Sequence, residues 1–154
     1  MNVIGLTKEV PVVVSLVENE EKENVPPSSV ISSLFKATEV SGPKYSNGKF
    51  IYIIHNSPNG YGIVVIDESD GRWASFIPCD YCFEMSNSIR KKYPFERIKV
   101  LNIVINDENE PYGKFAILDK PNLFGAPILK KYVLQNLQTG ELKEYTELPE
   151  FATD

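Results

Sequence analysis

The sequence predicts a mainly β fold, an antiparallel meander sheet built as a sandwich or a partly open barrel, with one or two short helices. An α+β arrangement is the alternative. Two observations carry this expectation. Short runs rich in Ile, Val, Tyr and Phe recur along the chain: "KFIYIIHN" (49–56), "GIVVIDES" (62–69), "RWASFIP" (72–78), "RIKVLNIVIN" (97–106), "GKFAILD" (113–119) and "KKYVLQNL" (130–137). Clusters of Gly, Pro, Asn and Asp bound them and supply the backbone conformations that turns need. Asn59-Gly60, Asp70-Gly71 and "QTGE" (138–141) then mark three hairpin-like connections, the last joining "KKYVLQNL" to "LKEYTEL". Connections of this kind favour consecutive antiparallel pairing, because Asn, Asp and Gly tolerate positive φ.

The N-terminal third is more ambiguous. "VPVVVSLV" (10–17) reads as a buried strand, with Pro11 placing it at an edge or a strand start. "ENEEKENVPPSS" (18–29) reads as a mobile charged loop. "VISSLFKATEV" (30–40) suits a short helix capped by Ser28 or Ser29 as well as a strand, and strand is preferred after Ser33. The clearest helix starts near Asp80 as N-cap, with Cys82, Met85, Ile89 and Tyr93 at helical spacing. Arg90, Lys91 and Lys92 gather at its end, where the helix dipole favours cations, and Pro94 stops it.

A chain of 154 residues is expected to form one domain, 1–154, with enough core to need no metal or disulfide. Its apolar fraction of 42% and charged fraction of 24% are ordinary for a globular protein. The net charge of −5 argues against direct binding to nucleic acid or anionic membrane, and leaves room for a basic protein partner. The opening "NVIGLTKEVPVVVSLV" is interrupted by Lys8, Glu9 and Pro11, and lacks a basic leader region and a small-residue cleavage site. The expectation is a cytoplasmic protein.

The two cysteines, Cys79 and Cys82, lie two residues apart in "FIPCDYCFEM" (76–85). A zinc centre needs three or four ligands, and the chain offers these two thiols and one histidine, His55. No metal or cofactor is therefore expected. A strand leading into Cys79-x-x-Cys82 and then a helix, with Gly125-Ala126-Pro127 later before a strand-turn-strand ("FGAPILKKYVLQNLQTGELKEY"), is similar to the thioredoxin family over the last half of the chain. That resemblance implies a thiol-disulfide oxidoreductase using Cys79 and Cys82, with a proline loop facing the pair and a helix drawn from 110–124. From the residues alone, the two thiols read as core groups, since cysteine packs as a small hydrophobe and Asp80 between them opposes a thiolate.

Other chemistry has little sequence support. His55 ends an apolar run beside Asn56 and Ser57, in the manner of a hydrogen-bonded turn residue. No Gly-x-Ser-x-Gly elbow, Walker loop, dinucleotide fingerprint or calcium loop occurs. Acidic clusters remain: Glu18, Glu20 and Glu21; Asp67, Glu68 and Asp70; Asp107, Glu108 and Glu110, all in expected connections. Arg90, Lys91, Lys92, Arg97 and Lys99 form a contrasting basic patch beside Tyr93 and Phe95. The functional expectation is a non-enzymatic acidic binding protein acting by protein–protein contact. It would be an inhibitor or accessory factor, in a bacterial or phage setting, that docks on a basic surface such as that of a nucleic-acid-binding protein. The nine carboxylates would supply the docking face.

Overall fold

Strand pairing among the described residues is antiparallel throughout. The computed structural model describes residues 8–11, 25–67, 73–83, 87–119, 125 and 127–153. It divides into two compact units, Met1–Cys79 and Asp80–Asp154.

The first unit holds strands β1 (Lys8–Pro11), β2 (Glu39–Ser46), β3 (Lys49–Asn56), β4 (Gly62–Asp67) and β5 (Trp73–Pro78), and helix α1 (Ser28–Phe35). The sheet order is β1-β5-β4-β3-β2, so the last four strands form a meander and β1 closes the far edge. Pro11 on that edge strand accords with its missing N–H. The β2–β3 hairpin turns on Asn47-Gly48, whose φ values of 52° and 79° are those of a tight two-residue turn. The β3–β4 connection is a turn in which the Gly60 N–H donates to the Ser57 carbonyl, and the Ser57 hydroxyl accepts from the Asn59 N–H. Period-two alternation puts Tyr52 and Ile54, Val64 and Ile66, and Ala74 and Phe76 on one face, where Ile31 and Phe35 of α1 pack. The Tyr52 hydroxyl donates to the Pro26 carbonyl and fixes the approach to α1, and burial raises its pKa.

The second unit holds α2 (Asn87–Lys92), β6 (Arg97–Ile105), β7 (Pro111–Leu118), β8 (Leu129–Asn136), β9 (Leu142–Tyr145) and a 3-10 turn, Glu150–Ala152. Its sheet is a four-stranded meander in the order β6-β7-β8-β9. The β8–β9 turn is organised by Asn136, whose Oδ1 accepts from the Gln138 and Thr139 N–H groups, while Gly140 takes φ 85°. One face carries Phe115, which meets the Phe83 ring at 5.3 Å between centroids. Gln135 on the same face donates to the Ser88 hydroxyl of α2 at 2.7 Å. On the other face, Val104 and Leu134 pack with Ala152, and the buried Lys114 ammonium donates to the Ala152 carbonyl at 2.7 Å.

The expected meander is therefore present in both sheets, with the strands close to their expected bounds. Four expectations are corrected. The helix does not start at Asp80: Asp80 and Tyr81 form a bend, the Tyr81 N–H donates to the Leu137 carbonyl, and α2 begins only at Asn87. Strand does not begin after Ser33. The helix runs to Phe35 and ends at Lys36, whose left-handed φ of 54° lets its N–H reach the Ser32 and Ser33 carbonyls. Neither Ser28 nor Ser29 caps α1; Pro27 holds that position with no side-chain cap, and both serines belong to the first turn. The thioredoxin-like arrangement is also overturned, because 111–118 is strand β7 rather than a helix and all described pairings are antiparallel. Most of 10–17, the charged stretch up to Asn24 and the Asp70-Gly71 turn lie outside the described residues.

Gly62, at the start of β4, lies tight against β5. A Cβ there would lie 2.4 Å from the Ile77 carbonyl oxygen and 2.7 Å from the Phe76 ring. Backbone cannot retreat without breaking ladder hydrogen bonds, so Gly62→Ala is expected to destabilise the protein by about 2 kcal/mol or more. Urea unfolding measures this; a stability change under about 0.5 kcal/mol refutes the close packing.

Candidate functional site

The two cysteines occupy unlike environments. Cys79 is buried just past β5, its N–H donating to the Tyr61 carbonyl and its thiol 3.7 Å from the Ile77 carbonyl. Cys82 is half-buried in irregular backbone. Both are thiols. Both precede α2, which begins at Asn87.

The sequence-expected carboxylates are only partly described. Glu18, Glu20, Glu21, Glu68 and Asp70 lie outside the described residues. Asp67 ends β4 opposite Trp73 and is half-buried. Asp107, Glu108 and Glu110 share the β6–β7 turn, which Asn106 builds: its Oδ1 accepts from the Glu108 N–H at 3.0 Å and the Glu110 N–H at 2.9 Å. Glu110 is engaged locally, accepting from Asn106 Nδ2 at 2.7 Å and from the Tyr112 hydroxyl. Asp107 and Glu108 point outward on the turn.

His55 is not alone. Its Nε2 lies 2.8 Å from the Ser41 hydroxyl on the neighbouring strand, and its ring meets Tyr61 edge-on. A histidine beside a serine is the first pair of a nucleophilic triad, but no carboxylate among the described residues hydrogen-bonds the imidazole. Among the described residues, no three His, Cys, Asp or Glu side chains gather as a metal cluster.

The most distinctive surface is the end of the second unit's sheet where β6 and β8 begin. Along β6, Arg97, Lys99 and Val100 are exposed, whereas Ile103, Val104 and Ile105 are buried. Just before it, Phe95 is 85% exposed. Its loop is held by one side chain: Nη1 of Arg90 donates to the carbonyls of Tyr93, Pro94 and Glu96, at 3.0, 3.2 and 3.0 Å. A shallow cleft of about 620 Å³ lies alongside, lined by Arg97, Lys99, Val100, Leu118, Pro127 and Leu129. Ile128, 64% exposed, stands next to it. Lys130 reaches Glu96 at 3.9 Å.

Behind this end sits a charged cluster on one face. The Tyr93 hydroxyl donates to Glu144, which also pairs with Lys131 at 3.3 Å and Lys92 at 3.9 Å. The hydrogen bond from Tyr93, aided by the two lysines, holds the Glu144 carboxyl below its ordinary range. Burial, and then the neighbouring Glu144, push the Tyr93 hydroxyl up. The basic patch read from the sequence is thus divided. Arg90 and Lys92 hold structure in place, and Arg97 and Lys99 face outward. Sequence reasoning noted Phe95 only as an aromatic among basic residues. Its exposure follows from the Arg90 contacts, which no local pattern announces.

No family model, curated protein or solved structure matches the chain. Among the described residues, no helix is long and apolar enough to cross a membrane.

Two expected outcomes follow from this geometry. In the folded protein a thiol reagent should modify Cys82 well before Cys79, which should react only at the rate of unfolding. Mass spectrometry of partially labelled protein measures the order, and faster labelling of Cys79 contradicts its burial. Separately, the stability from Glu144 is fully present above its ordinary pKa of 4.5 and is lost as pH falls through its lowered folded value. Tyr93→Phe should therefore move the Glu144 carboxyl titration upward by NMR and weaken the acid dependence of stability; an unmoved midpoint would show that the hydroxyl contributes nothing.

Proposed function

We propose that the chain is a non-enzymatic binding protein acting through protein–protein contact, and that the contact is centred on Phe95. The observation that supports this reading is an aromatic ring left in water on a loop that Arg90 holds in place. Exposing a Phe side chain forgoes about 1.5–3 kcal/mol of burial, and a ring presented on pre-ordered backbone loses little entropy on docking. Aromatic anchors of this sort, surrounded by apolar and Arg side chains, dominate protein interfaces. Val100, Ile128 and Leu129 are also exposed, at the same end of the sheet.

A second reading is favoured by the β6–β7 turn, where Asp107 and Glu108 are exposed on backbone fixed by Asn106. There the partner is a basic protein surface, and the role is that of an inhibitor or accessory factor in a bacterial or phage setting. The two surfaces lie at opposite ends of β6, about 30 Å apart for its nine residues, so single variants separate them. Affinity capture from a bacterial lysate, followed by quantification of each retained protein, compares the parent with Phe95→Ser and with Asp107→Lys/Glu108→Lys. The first reading expects one retained protein to be reduced at least about tenfold by Phe95→Ser and little by the charge reversal. The second expects the reverse, with binding that weakens steeply as salt rises. Thermal stability should hardly change in either variant, as these side chains are in solvent. Equal retention by all three proteins would defeat both readings.

A further inference from the structure

Resting on the Phe95-centred reading, we infer that the partner element received at this end is an extended, acidic segment that adds as a strand to the open edge of β6. Three features converge on it. First, β6 is the terminal strand of its sheet and, among the described residues, pairs only with β7. A sheet edge with solvent-exposed residues presents unpaired N–H and C=O groups, which an extended peptide can complete. Second, the two faces of the exposed first half of β6 differ: Arg97 and Lys99 stand on one, in line with Leu118 of β7 and Leu129 of β8 along the cleft, and Val100 stands on the other. A strand laid along β6 directs alternate side chains to the Arg97–Lys99 face and the intervening ones to the Val100 face.

Third, the charges select the occupant. Arg97 and Lys99 stand on the edge strand itself, and no ion pair among the described residues engages either. In a chain with 21 acidic and 16 basic residues, two cations left without acidic partners beside an open edge favour carboxylates on the incoming strand. The nearby acids do not cancel them: Glu96 is paired with Lys130, and Asp119 lies past the end of β7. The same cations disfavour a second copy of β6, since antiparallel self-pairing of its exposed first half sets Arg97 of one copy opposite Lys99 of the other. Lysine on an edge strand, with the irregular register between Val100 and Asn102, is also a known guard against aggregation. A guard alone leaves unexplained why Phe95, Val100, Ile128 and Leu129 are exposed around it.

The test uses the full chain and a fluorescein-labelled peptide alternating Glu with Val, followed by anisotropy. Saturable binding is expected, weakened about tenfold or more by Arg97→Glu/Lys99→Glu and by raising salt from low to physiological. N-methylation of alternate peptide amides discriminates the mode without altering the protein. Methylation in one phase should abolish binding and in the other leave it nearly intact, because a strand pairs through one of its edges. Binding that tolerates both phases, or that ignores the double charge reversal, overturns strand addition. So does the absence of any peptide binding, tighter binding of an oligo-dT strand at the same site, or concentration-dependent dimerisation that Phe95→Ser abolishes. If the peptide fails while lysate capture still depends on Phe95, the inference falls and the protein-binding reading stands.

Discussion

A sheet has two faces to cover, and in the second unit the covering segments are shorter than the strands beneath them. β6 runs for nine residues, about 30 Å, while α2 spans six residues, about 9 Å, and the 3-10 turn only three. Those short pieces are placed by specific contacts. Ser88 of α2 meets Gln135 on β8, Tyr93 meets Glu144 on β9, and Ala152 sits over Val104 and Leu134. All of these fall on β8, β9 or the far half of β6. The first half of β6 receives no cover from them, and its side chains pass from exposed at Arg97 to fully buried at Val104 along one strand.

Phe95 is exposed for a related backbone reason. The chain must leave a buried Tyr93 and enter β6 within three residues, and the carbonyls in that bend have no strand to pair with. Arg90 Nη1 donates to three of these carbonyls, the part-buried one of Tyr93 and the exposed ones of Pro94 and Glu96, and so ties the bend together. Lys130 holds Glu96 from the other side. With Tyr93 fixed inward and Glu96 held by its ion pair, Pro94 and Phe95 are the residues left facing water.

The strands were legible because period-two patterning and turn residues coincide. KFIYIIHN matches β3 end to end, and the Asn136 turn sits where QTGE marks it. Strand β2 was missed although Asn47-Gly48 is as strong a hairpin signal as Asn59-Gly60, because EVSGPKYS is almost wholly exposed and shows no apolar alternation. The helix start was misjudged because Cys82 happens to lie at helical spacing from Ile89. The bend at Tyr81 is instead fixed by a hydrogen bond to Leu137, a long-range partner that no local window contains. The bare end of the sheet was illegible for the same reason: RKKYPFERIKV reads as a charged helix end, and only the tertiary positions of Arg90 and Lys92 show which cations are engaged and which are left outward.

The second unit thus carries cationic residues at one end of β6 and an acidic turn at the other, a polarity that invites head-to-tail association into open chains. The local chemistry of the acidic end works against it. Strand addition to β6 requires an extended segment whose amides are available, and Asn106–Glu110 is the opposite: Asn106 takes the Glu108 and Glu110 N–H groups, its own N–H bonds the Glu110 carbonyl, and Asn109 adopts a positive φ of 62°. Glu110 is further occupied by Asn106 and Tyr112. A closed turn of this kind offers carboxylates as points of charge and cannot offer a strand. Its attraction for Arg97 and Lys99 of another copy is therefore confined to exposed ion pairs, worth about 0–1 kcal/mol each, which leaves the edge of β6 open to a segment that brings both backbone and charge.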